Sequence, residues 1–246
     1  MPDVPDFSPL AAEYAASRPA YPPELFEWLA GTVPAHDLAW DVATGNGQAA
    51  VGLAAHFAHV IASDVSADQL KNATAHPRIA YRVGAAEESG LPAGSIDLVA
   101  VAAAIHWLDL PRFYREVRRV LRAGGVLAAW TYHVAHVEGP LQDVLLPFYR
   151  DIVTPYFAPG ARMVDARYEG LGIPGEALQP PPLSVSVRWS ADQVLRFVRT
   201  WSGVEAYRAA TGKDPVLEID RGVREALGGD GPVMLRFPLY VRAARL

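Results

Sequence analysis

The residues best suited to chemistry in this 246-residue chain gather at one turn and one strand end. The turn lies in DVATGNGQAA, residues 41–50, where Asp41 closes a short apolar run and Gly45 and Gly47 precede an alanine-rich helical pattern. Glycines at such a turn let the backbone approach a ligand where any side chain would clash. The strand end is AIHWLD, residues 104–109, which sets the imidazole of His106 beside the indole of Trp107. A glycine turn opening a helix suits a nucleotide, and a histidine suits proton transfer. Among nucleotide chemistries a P-loop is excluded, because GxxxxGK[ST] is absent and with it the phosphate lysine and the magnesium hydroxyl. A dinucleotide site is compatible with GNGQAA as G-x-G-x-x-A and with Asp64 as a ribose ligand. Against it, Asp41 puts a carboxylate where a pyrophosphate would lie; an acid there suits a cation such as an ammonium group. AIHWLD also crowds the space that a nicotinamide needs.

The elements around these residues alternate as in a parallel sheet. DLAWDV reads as a first strand, 47–57 as a helix, HVIASD as a second strand, SADQLKNAT as a helix and RIAYRV as a third strand. SIDLVAVAAA is a fourth strand, its unbroken apolar run implying burial on both faces. An amphipathic helix over 111–121 follows, broken by the glycine pair of RAGGVLAAW, which enters a fifth strand. Residues 131–182 depart from the pattern, with helical stretches at 140–153 and 161–168 separated by TPYFAPG; they read as a helical insertion over the ligand edge. LSVSVRW, helices over 191–200, 203–211 and 215–227, and a last strand VMLRFPLYVRA complete the sheet with an antiparallel pair. In such a sheet the ligand lies beyond the carboxyl ends of the strands, where both the turn and His106 fall.

Composition narrows the function further. Hydrophobic residues make up 51% of the chain, enough for one substantial core, and a net charge of −5 argues against nucleic acid as a partner. The absence of cysteine excludes disulfides, thiolate zinc sites and cysteine nucleophiles. His56/His59 and His133/His136 have HxxH spacing but lack a third ligand, so no metal is expected. The opening MPDVPDFSPLAAEY has neither part of a signal peptide, and no apolar run reaches a membrane span, so a cytoplasmic protein is expected.

Seven segments then fall in register across nearly the whole chain: YAASRPAYP (14–22), DVATGNGQAA, SDVSADQL, GAAEESGLP, AIHWLD, LRAGGVLAAW and TWSGVEAYRAATGKDP (200–215). Together they resemble the class I S-adenosylmethionine (SAM)-dependent methyltransferases of type 11, and within them the trans-aconitate methyltransferase-like subgroup. The resemblance implies a single α/β domain with a Rossmann-like, seven-stranded, mostly parallel sheet, helices on both faces and an antiparallel C-terminal strand. Residues 1–35 would form an N-terminal helical lid, 37–130 the cofactor core, 131–182 the insertion over the active site and 183–246 the completion of the sheet.

The same resemblance implies SAM as cofactor and S-adenosylhomocysteine as product. Asp41, Ala43, Gly45 and Gly47 would hold the methionine end, Asp64 both ribose hydroxyls with Val65 beside it, and Ala86 and Glu87 the adenine. Ala103 and Ala104 would form a small-residue floor, with His106 and Trp107 facing the methyl group. Tyr14, Arg18 and Tyr21 would fold over the site, Tyr21 and Trp107 meeting the substrate. Two departures stand out: Ala43 replaces the first glycine of D-x-G-x-G-x-G, which fits if its φ stays negative, and Ala85 stands where an acid often reads the adenine. The implied function is methyl transfer to a small-molecule oxygen by a monomer or homodimer. A carboxylate acceptor needs no base; a hydroxyl needs His106 or His133. The alternatives are an NAD-type oxidoreductase and a catalytically silent SAM-binding protein.

Overall fold

The computed structural model describes residues 19–133, 136–229 and 231–246, so Tyr14, Arg18 and most of the expected N-terminal lid lie outside the described residues. Helix α1 (Pro23–Thr32) starts with proline in its first turn, where no backbone donor is lost. Then strands and helices alternate: β1 (Leu38–Val42), α2 (Gln48–Ala54), β2 (His59–Asp64), α3 (Ala67–Lys71), β3 (Ile79–Val83), β4 (Ile96–Ala102), α4 (Leu110–Val120) and β5 (Leu121–Tyr132). The insertion holds α5 (Leu141–Pro147), a π-helical segment (Phe148–Val153), α6 (Arg162–Asp165) and a short strand β6 (Glu176–Leu178). β7 (Leu183–Trp189), α7 (Ala191–Arg199), α8 (Ser202–Thr211), α9 (Asp220–Ala226) and β8 (Val233–Arg245) finish the described fold.

The sheet runs β3-β2-β1-β4-β5-β8-β6, with β7 also paired to β8. The first five strands are parallel, and β8 is antiparallel to its neighbours. Strand order reverses between β1 and β4, the crevice at which open α/β sheets bind ligands. Side chains alternate along β1: Ala39 packs on one core, with Leu53, Leu98 and Trp130, while Trp40 and Val42 pack on the other, with Phe113 and Val117. Helices therefore cover both faces. The insertion straddles the sheet edge, giving Leu145 and Phe148 to the first core and Tyr168 and Leu171 to the second.

Two details differ from expectation. The sheet has eight strands, because Gly175 brings its Cα against the Arg245 carbonyl, where a Cβ would lie 2.2 Å from the oxygen. That approach lets Glu176–Leu178 pair with the length of β8 left over beyond β7. The glycine pair does not break α4, which ends at Val120; it sits inside β5 as a bulge, with Leu121 opposite Ile96 but Val126 opposite Leu98.

Candidate active site

Asp41 ends up fully buried near the carboxyl end of β1, level with Ala62 and Ala100 on the neighbouring strands. Loss of water raises its pKa from the usual 3.8 to about 7; the hydrogen bond from the Thr44 hydroxyl and the nearby Ala50 amide dipole oppose the rise, and Asp64 adds to it. Thr44 donates to Oδ2, while Oδ1 has no hydrogen-bond partner among the described residues. A buried, half-satisfied carboxylate costs free energy unless a donor meets it.

The turn beyond it is built from left-handed residues: Ala43 at φ +51°, Gly45 at +57° and Gly47 at +82°. Ala43 thus corrects the expectation of a negative φ; the amide of its neighbour Thr44 donates a hydrogen bond of 3.0 Å to the Ser63 carbonyl, which leaves Ala43 to absorb the bend. An L-residue there carries a strain of about 1–2 kcal/mol. A Cβ on Gly47 would lie 2.2 Å from the Tyr81 hydroxyl, so this wall of the turn admits only glycine without displacing the tyrosine.

Asp64 closes the turn from β2. Its Oδ2 accepts from the Gly45 amide and its Oδ1 from the Ser66 amide, both at 2.9 Å. The carboxylate is therefore a brace between turn and strand, with one lone pair per oxygen left for a ligand. Val65, next to it, is 65% exposed. Ala86 is buried, and Glu87 accepts from the Asp109 amide at 2.9 Å, tying the loop after β3 to the loop after β4.

That second loop begins at Ala103, also left-handed at φ +51°, whose amide donates to the Trp130 carbonyl at 2.7 Å. Ala104 is buried, and a 3₁₀ turn (Ile105–Trp107) follows. His106 lies tilted against Trp107, with 4.5 Å between ring centroids, and meets the Tyr168 hydroxyl through Nδ1 at 2.8 Å. Burial lowers its pKa to about 4, so the ring is neutral at neutral pH. The insertion grips this residue twice, since a Cβ on Gly160 would lie 2.5 Å from the His106 carbonyl oxygen. Tyr21 packs edge-on against Trp130 at 5.6 Å and Tyr132 at 6.3 Å.

His133 follows β5 directly and is buried. Its Nε2 lies 3.1 Å from Asp165 Oδ1, to which the Tyr149 hydroxyl also donates at 2.5 Å. His136 stacks on it at 4.2 Å and reaches the Tyr240 hydroxyl at 3.2 Å. Among the described residues no group of three or more His, Cys, Asp or Glu side chains is arranged to hold a metal.

Tyr149, Asp165 and Tyr168 were invisible to sequence reasoning. MVDARYEG (163–170) carries no motif, and Arg167 and Tyr168 are both left-handed, at φ +54° and +57°. No glycine marks that bend. The one available signal was the HxxH spacing of His133 and His136, which places the two rings in a stack. An open depression of about 490 Å³ lies at the opposite edge, near the amino ends of β1–β3; there Arg122 is already paired with Asp37 and Asp97.

The fold and site thus define a nucleotide-type α/β crevice whose turn carries a buried acid. The "Methyltransferase domain" family profile matches residues 40–129, the stretch that holds the turn and the fourth strand. A "Putative methyltransferase" of Dictyostelium discoideum is 32% identical over 96% of this chain and 92% of its own length. A solved "Putative Type II Methyltransferase" from Anaeromyxobacter dehalogenans is 39% identical, with a TM-score of 0.85 over 93% of this chain and 97% of that one. A solved "putative methyltransferase" from Bacillus halodurans shares the fold alone, at 18% identity and a TM-score of 0.52 over 89% of this chain and 97% of that one. The chain belongs to the class I SAM-dependent methyltransferases. Among the described residues no helix is long and apolar enough to cross a membrane.

Proposed function

We propose that this methyltransferase transfers a methyl group to an oxygen of a small-molecule acceptor, with the cofactor's methionine end held at the Asp41 turn. The observation that carries the reading is the buried Asp41 Oδ1, which has no hydrogen-bond partner among the described residues. A pyrophosphate would be repelled there, whereas an ammonium donates to it and restores its charge. Ala43, Gly45 and Gly47 offer backbone without bulk; the free lone pairs of Asp64 suit ribose hydroxyls, and Val65, Ala86 and Glu87 border the adenine. Ala103 and Ala104 supply the floor. Bound in this way, the sulfonium of SAM supplies an already activated methyl group.

The chain's own task is then to orient an oxygen and manage its proton. His106, neutral and held by Trp107 and Tyr168, faces that task from the end of β4. His133 faces it from the end of β5. The insertion, described over 136–182, is the part that would exclude water from this edge, with Tyr21 beside it. Cytoplasmic residence and a monomeric or homodimeric state complete the proposal.

Calorimetric titrations with SAM, S-adenosylhomocysteine and NADH in parallel test the cofactor. Binding of the first two and not the third is expected; tight NADH binding without a response to SAM would overturn the reading. Labelled-methyl transfer from SAM into a metabolite extract, followed by mass spectrometry, identifies the acceptor. Label on oxygen is expected, and label on nitrogen or carbon would contradict the oxygen assignment.

A further inference from the structure

We infer that His133 Nδ1 is the proton acceptor for a hydroxyl-bearing acceptor, an enol, phenol or alcohol and not a carboxylate, and that Asp165 is the positioning residue that selects this nitrogen. The inference rests on the methyl-transfer reading above.

An ionised carboxylate only accepts hydrogen bonds, so the 3.1 Å contact between His133 Nε2 and Asp165 Oδ1 puts the ring proton on Nε2. Asp165 is held below its usual range: burial pushes it up, but the hydrogen bonds from His133 and Tyr149 outweigh burial. Nδ1 then carries a lone pair. It is buried, it has no hydrogen-bond partner among the described residues, and the residue is only 3% exposed. Leaving such an atom unmet costs about 1–3 kcal/mol, an expense that a substrate donor removes.

The ring has little freedom to turn. His136 stacks on one side at 4.2 Å and Tyr149 meets it edge-on at 4.4 Å. The charged and titratable groups facing the pair are Asp165, Tyr149 and His136, with Tyr240 and Arg167 behind His136. His136 stays neutral, its pKa lowered to about 4 chiefly by burial, with Arg167 adding to the shift and Asp165 opposing it. His106 differs in kind: its partner, the Tyr168 hydroxyl, can donate or accept, so neither nitrogen is selected. A phenol that donates to Nδ1 makes His106 a donor through Nε2, suited to holding an oxygen in place.

The reaction balances without a further reagent. The acceptor's O–H proton passes to His133 Nδ1, and the electron pair of that bond forms the new O–CH₃ bond. The pair of the broken S–CH₃ bond returns to sulfur, and the imidazolium is left facing the Asp165 carboxylate. An ionised carboxylate acceptor brings no proton and gains nothing from this arrangement.

Two measurements test it on the full chain. The first is ¹⁵N NMR of histidine-labelled protein without cofactor. His133 protonated at Nε2 in the wild type, and a tautomer mixture in Asp165→Asn, is expected; a wild-type ring protonated at Nδ1 overturns the inference. The second follows labelled methyl from SAM into a metabolite extract and compares variants on the labelled product. An ether product is expected, with kcat reduced about 10- to 100-fold in Asp165→Asn, KM and SAM binding little changed, and the acid limb of the kcat profile moved to lower pH. Asp165→Glu should restore part of the loss. A methyl ester whose formation ignores Asp165→Asn overturns the inference while leaving methyl transfer intact. SAM binding with no labelled product overturns the base role, and failure to bind SAM sinks the underlying reading as well.

Discussion

The Asp41 turn and the His133 corner, the two ends of the candidate site, lie on one sheet, yet they are built in opposite ways. At the turn, the key groups lie within a short stretch of chain: Asp41, Thr44, Gly45 and Gly47, braced by Asp64 from the next strand. At the corner, His133 depends on Asp165 and Tyr149, and His106 depends on Tyr168, sixty-two residues away. The first arrangement uses backbone conformation to shape a cradle. The second uses an insertion to deliver single polar atoms to the ends of β4 and β5. A cofactor shared by a whole class calls for the first kind of site; an acceptor particular to one enzyme calls for the second.

Breaking the turn should produce the largest effect. Asp41→Asn is expected to weaken SAM binding about 30-fold or more, because it removes one partner of a buried charge pair. It should also stabilise the ligand-free protein. The folded carboxyl, at about 7 against an ordinary 3.8, holds its proton over a window in which the unfolded chain has lost it. Wild-type stability therefore falls as pH rises through that window and stays low above it. Thermal melts between about pH 4 and pH 8 should show this slope in the wild type and lose it in the variant. Equal slopes would mean that Asp41 is not the buried acid described.

The next change separates the two regions. Gly160→Ala presses a methyl group against the His106 carbonyl and should lift the insertion off the β4 corner. A fall of about tenfold in kcat/KM for the acceptor is expected with SAM affinity unchanged, from overpacking of about 1–3 kcal/mol. A parallel loss of SAM affinity would show that the regions are not independent. Ala43→Gly relieves a left-handed residue in the turn and should raise stability by about 1 kcal/mol, or about 2–4 °C in Tm. Tyr168→Phe, the mildest, frees His106 Nδ1 and should change kcat only a few-fold, read by steady-state kinetics on the labelled product.

The same contrast explains what could be read from the chain alone. The five parallel strands, the bracketing helices and the turn were legible because each is written in local periodicity and glycine placement. The left-handed Ala43 was not, since alanine gives no sign of a positive φ and the Thr44–Ser63 bond that imposes it spans two strands. The role of Asp64 as a brace was hidden for a related reason: its partners are backbone amides, which carry no sequence signature. Asp165, Tyr149 and Tyr168 lay within a stretch legible only as a helical insertion. Their meaning comes from long-range contacts set by the Arg167–Tyr168 bend, and no spacing rule predicts those.

The account turns on a buried acid that awaits a cation at the end of β1. Calorimetric titration of SAM into wild-type and Asp41→Asn protein, at one near-neutral pH and with thermal melts confirming that both are folded, tests this most directly. A wild type that binds SAM beside a folded variant weakened about 30-fold or more is the predicted result. A folded variant that binds SAM as tightly as the wild type would contradict it.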